Sequence, residues 1–159
     1  RLTAMPPLWP YLLLLVPAAP LVYTDFRMRC VSVWSLAVLC GEAVAVGWTS
    51  FGFRPMLLHA GVNAGILVIF SAAMLGYQLL RHRPVRTFFE QSFGLVDIVM
   101  MIAVVPLFVP GSYVRFLLVS CLAALAWWMV KRTETIPFAG IMAVVLGVYV
   151  LCKTFGLWN

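Results

Sequence analysis

Long apolar runs separated by short polar punctuation dominate this chain: Leu8 to Tyr23, Val31 to Ser50, Met56 to Leu80, Phe93 to Val109, Tyr113 to Val130 and Ile136 to Phe155. An α-helix needs roughly 20 apolar residues to cross a bilayer, so the pattern predicts six membrane-spanning helices. The breaks carry the charges, prolines and glycines: Asp25 to Arg29, Phe51 to Pro55, Arg81 to Ser92, Pro110 to Ser112 and Lys131 to Thr135. No internal repeat, low-complexity tract or linker interrupts the series. Residues 1–159 are therefore expected to form a single all-α domain, a polytopic bundle of transmembrane helices.

Composition agrees with a lipid solvent. Hydrophobic residues make up 64% of the chain and charged residues 10%, with a mean hydropathy of +1.05, whereas soluble domains carry about 25% charged residues. The formal net charge of +6 does not mark a nucleic-acid binder, because the basic residues sit in short clusters between apolar runs. They instead orient the bundle. Arg27, Arg29, Arg81, Arg83, Arg86, Lys131 and Arg132 lie at one set of helix ends, and Arg1, Arg54, Arg115 and Lys153 at the other. The positive-inside rule makes the first set cytoplasmic and puts both termini outside. The cluster Arg81-His82-Arg83-Pro84-Val85-Arg86 suits anionic lipid headgroups.

The first run is expected to be a retained helix. A cleaved signal peptide has its basic region before a smooth apolar core, whereas here Arg27 and Arg29 follow a run interrupted by Pro10, Pro17 and Pro20. The four cysteines, Cys30, Cys40, Cys121 and Cys152, form no CxxC pair and read as small hydrophobes, which indicates neither a zinc site nor a disulfide framework.

Against this background the five acids stand out. A carboxylate at the centre of a membrane helix costs about 2.5 to 3.5 kcal/mol on insertion scales, so each is a candidate for function. Asp25 follows the first run at its cytoplasmic end, and Asp97 lies about one turn inside the cytoplasmic start of the fourth. Helix parity thus puts the two in one leaflet at similar depth. Two close carboxylates in a low dielectric do not both ionise easily: one keeps its proton, and the other is a base able to activate water for attack on an amide carbonyl.

The surroundings of both aspartates resemble a known family. Tyr23-Thr24-Asp25-Phe26-Arg27-Met28-Arg29 resembles the D-L-R-x-R signature at the first catalytic aspartate of type IV prepilin peptidases, and Gly94-Leu95-Val96-Asp97 resembles their G-x-G-D motif. Thr135-Ile136-Pro137-Phe138 is similar to the I-P-F element that opens the family's last helix. The resemblance implies an intramembrane aspartyl endopeptidase, close to the short prepilin or preflagellin peptidases. Such an enzyme removes the basic leader of a pilin-like precursor protein at the cytoplasmic face of a prokaryotic inner membrane. It further implies Asp25 and Asp97 as the catalytic pair, Gly94 as a close-packing residue beside them, no methyltransferase domain, and no cofactor or metal. The chain departs from the pattern at Val31-Ser32-Val33, where I-P-N is usual, at Val96, and at Val99, where a lysine is common. The oligomeric state and the precursor's identity are not encoded in these motifs.

Other polar residues carry other expectations. Asp25 alone would read as an interfacial acid facing headgroup water or pairing with Arg27 or Arg29. Glu42, inside the second run, lies roughly 18 Å from the cytoplasmic face at 1.5 Å per residue. It reads as a neutral carboxyl bonded to a neighbouring helix, or as part of a proton path in the alternative of a small proton-coupled transporter. A further alternative is a catalytically degenerate homologue that serves as an assembly factor. His59 and Asn63 share a helix face and suit an interhelical hydrogen bond, with Gly61 and Gly65 as a close-packing GxxxG face. Glu90 and Glu134 read as solvated loop acids or, beside the site, as contacts for a basic leader. Trp34, Trp48, Trp127, Trp128 and Trp158 read as interfacial anchors.

Overall fold

The structure is a computed structural model that describes residues 9–28, 30–80, 95–132 and 136–155. Every element among the described residues is helical: α1 (Trp9–Leu13), α2 (Leu15–Met28), α3 (Val33–Phe51), α4 (Phe53–Leu80), α5 (Leu95–Ala103), a 3₁₀ turn (Val105–Leu107), α6 (Pro110–Lys131) and α7 (Phe138–Thr154). Three stretches, Val33–Phe51, Phe53–Ala73 and Pro110–Lys131, are long and apolar enough to cross a membrane. This is the signature of a multi-pass membrane protein.

Proline chemistry explains where the helices depart from the apolar runs. Pro17 has no N–H for the carbonyl of Leu13, and the helix breaks at Leu14, separating α1 from α2. The helix then continues through Asp25 to Met28. Asp25, expected in a connection, is therefore a helical residue near the end of α2. The third run starts earlier than expected, at Phe53, because Gly52 turns the chain alone with a φ of 82°. Its N–H closes α3 on the carbonyl of Trp48 at 2.8 Å. Pro110 to Ser112, expected as a connection, opens α6, with Pro110 at the first position, where a missing N–H costs nothing.

The fourth run is the largest departure. Its helix stops at Ala103, after 9 residues, because Pro106 cannot donate to the carbonyl of Ile102. Buried backbone must find its partners inside the protein, and here the partners are specific. Tyr113 Oη donates to Met101 O at 3.1 Å, and Asn63 Nδ2 donates to both Val105 O at 3.0 Å and Phe108 O at 2.8 Å. Leu107 N donates to Val104 O at 3.1 Å. The break is packed against α3 so closely that a Cβ on Gly47 would stand 2.5 Å from Pro106 O.

Helix α7 is the axis of the bundle, packing on α1, α2, α5 and α6 and most extensively on α2. Ala139, Gly140, Ile141, Met142 and Ala143 are all buried, so its first turns are enclosed on every side. The core around it is apolar, with Leu14, Leu21, Leu39, Met100, Val104, Phe108 and Leu146 at its centre. Gly61 and Gly65 pack on no other helix of the chain among the described residues: both are exposed, and a Cβ on either would meet nothing within 4 Å.

Candidate functional site

At one end of the bundle the final turns of α2 meet the first turns of α7. Gly140 is the third residue of α7, so its N–H is one of the four that an α-helix leaves without an internal acceptor. Asp25 supplies the acceptor: Gly140 N donates to Asp25 Oδ2 at 2.6 Å. The carboxyl is 8% exposed and buried between the two helices. It thus serves α7 as a capping residue from another element, with the positive end of the helix dipole facing it. Arg27, expected as an ion-pair partner, turns outward, donating to Tyr23 Oη at 2.6 Å and lying over its ring at 5.5 Å.

Phe26 completes this corner. A Cβ on Gly140 would stand 2.8 Å from Phe26 Cε2 and 2.9 Å from Asp25 Oδ2, so glycine alone allows both to approach. The opposite edge of Phe26 meets Trp127 of α6, with ring centroids 5.0 Å apart and planes at 85°. Trp127, half-buried and with Lys131 Nζ 5.9 Å from its ring centroid, thus also packs against this corner. Its Nε1 is buried and has no hydrogen-bond partner among the described residues. Trp34, Trp48 and Trp128 are exposed, as anchors are.

Asp97 lies in the first turn of α5, half-buried. Helix α5 packs on α3, α4 and α7. The two aspartates are thus carried by α2 and α5, each seated on the same helix α7, and both residues have interacting neighbours. Gly94, Arg29, Glu90, Glu134, Thr135, Trp158 and the cluster from Arg81 to Arg86 lie outside the described residues. Ser32, where the resemblance would have proline, caps α3 by accepting from Ser35 N at 3.5 Å.

Other polar expectations resolve separately. Asn63 is fully buried and makes the interhelical bonds expected of it, to the break after α5. His59, one turn away, packs edge-on against Phe51 at 5.2 Å instead of joining it. Glu42 lies midway along α3, and its Oε2 is buried with no hydrogen-bond partner among the described residues, so the expected bond to a neighbouring helix is not formed by that oxygen. No three His, Cys, Asp or Glu side chains converge among the described residues.

A second polar network occupies the opposite end of α7. Lys153 Nζ donates to Tyr11 Oη at 2.8 Å and sits 4.1 Å above its ring, and Tyr11 Oη donates to Ser50 Oγ at 2.9 Å. This joins α1, α3 and α7 where their ends come together. Neither Tyr11 nor Gly140 is visible as a special residue in the sequence; the only signal for the latter is a glycine in the first turn after Ile136-Pro137. Compared with known protein families, curated proteins and solved structures, the chain matches none.

Proposed function

We propose that the protein is an intramembrane aspartyl endopeptidase that removes the basic leader of type IV pilin-like precursors at the cytoplasmic face of a prokaryotic inner membrane. The observation that carries this reading is the burial of Asp25 against the N-terminus of α7, the helix on which α5, the carrier of Asp97, also packs. An acid held inside a membrane protein by a dedicated backbone donor is costly to keep without a use. The resemblance of the Tyr23 to Arg29 segment, Gly94 to Asp97 and Thr135 to Phe138 to prepilin peptidase motifs gives that use a chemical identity. In the full arrangement α1 and α2 together make one broken crossing, α5 with its 3₁₀ turn another, and six crossings leave both termini outside.

In this mechanism one carboxylate takes a proton from water as it attacks the scissile carbonyl. The partner, as a carboxylic acid, polarises the carbonyl oxygen and then delivers its proton to the leaving amine. The pair titrates as a unit. Reconstituted protein incubated with pilin-like precursors from its own genome tests the proposal. Asp25→Asn and Asp97→Asn are each expected to abolish cleavage, and cleavage surviving either one would refute the pairing.

The competing transport reading draws on one observation, the unpartnered Oε2 of Glu42. Proton-coupled uptake into vesicles that is lost in Glu42→Gln, with no precursor cleavage, would replace the peptidase reading.

A further inference from the structure

We infer that Gly140 is a positioning residue for Asp25, acting through its backbone N–H and through the absence of a side chain. The inference rests on the peptidase reading for its catalytic consequence, but the contact itself is a property of the fold. Hydrolysis by an acid pair needs each carboxyl fixed in direction, because a displacement of about 1 Å at a reacting group costs about 10²-fold in rate. A short carboxylate side chain near the end of α2 has two torsions to fix. Burial alone restricts its volume but selects neither oxygen.

Gly140 engages one oxygen, Oδ2. Its N–H, with no acceptor inside its own helix, points at Oδ2 from 2.6 Å. This distance is short for an N–H···O bond. The bare Cα lets the carboxyl sit there: the Cβ of any other residue would stand 2.9 Å from the same oxygen and 2.8 Å from the Phe26 ring. The donor is rigid, because Gly140 belongs to a helix turn buried on every side, with Ile141 N bonded to Pro137 O at 3.0 Å. A backbone donor on an enclosed helix cannot rotate away as a side-chain donor can. The same residue therefore supplies both the hydrogen bond and the space for it, and a substitution that keeps the N–H still displaces the carboxyl.

Two measurements test this, one of them independent of turnover. In protein labelled with [¹⁵N]glycine, the amide resonance that disappears in Gly140→Ala is that of Gly140. It is expected downfield in the wild type and should move upfield in Asp25→Ala. A resonance that ignores Asp25→Ala overturns the inference. In the cleavage assay, Gly140→Ala should lower kcat about 10²-fold with little change in KM. Because the added methyl also meets Phe26, the substitution is repeated in a Phe26→Ala background. An equal fall in both backgrounds assigns the effect to Asp25, and a fall that vanishes without the Phe26 ring assigns it to crowding and overturns the inference. Cleavage that persists in Asp25→Asn sinks the peptidase reading instead. The amide response would then still establish the contact.

Discussion

Gly47 of α3 faces the carbonyl oxygen of Pro106 so closely that a Cβ would stand 2.5 Å from it. Neither partner can easily give way, since one is a helix backbone and the other a backbone carbonyl in a packed turn. Gly47→Ala is expected to destabilise the protein by about 1 to 3 kcal/mol, the usual cost of overpacking a filled interior. Unfolding of the purified protein in detergent measures it. Gly61→Ala, on the open face of α4, is the matched control and should change little.

Asn63 is the donor that makes the break after α5 tolerable in an apolar interior. Its amide serves Val105 O and Phe108 O together. Asn63→Leu leaves both carbonyls buried without that donor, at an expected cost of about 1 to 3 kcal/mol. Asn63→Asp, nearly the same shape with no N–H to offer when ionised, should be at least as damaging. Thermal unfolding of the two variants beside the wild type checks this, and an Asn63→Asp protein as stable as wild type would contradict it.

Tyr11→Phe deletes one hydroxyl that both accepts from Lys153 and donates to Ser50. The expected loss is about 1 kcal/mol. Lys153→Met should cost a similar amount. Because the two residues share one interaction, the double variant should lose less than the two single losses added together. Strict additivity would show that the network carries no coupling.

Glu42→Leu should stabilise the protein, by about 1 kcal/mol, because it removes a buried oxygen without a partner from the middle of α3. Under the peptidase reading, cleavage should be unaffected. A loss of precursor cleavage in this variant would place Glu42 in the reaction.

Much of the architecture was legible because lipid imposes a simple grammar of long apolar runs and polar interruptions. The runs beginning at Val31 and Tyr113 became α3 and α6 with ends shifted by no more than a few residues. Where reading failed, the cause was local chemistry that hydropathy ignores. Asp25 reads as a connection because it is charged and followed by Arg27, yet its cap on α7 keeps it helical and buried. Pro106 sits in an unbroken apolar run, and a broken helix there is made acceptable by distant donors, Tyr113 and Asn63, the latter 42 residues away from Val105. The GxxxG of Gly61 and Gly65 fits helix packing equally well on any face, because in a membrane the exposed and the packed sides of a helix are both apolar. Gly140 could not be found at all, since its role exists only opposite Asp25.

The two polar contacts along α7 also set an order of events during biosynthesis. Asp25 and Gly140 are separated by 115 positions, and Tyr11 and Lys153 by 142. A chain emerging from the ribosome N-terminus first therefore inserts α1 to α6 before either contact is possible. Until α7 arrives, Asp25 lacks its hydrogen bond from Gly140 N, so a nascent chain carries the acid without this contact. Arrival of α7 is the step that closes both contacts.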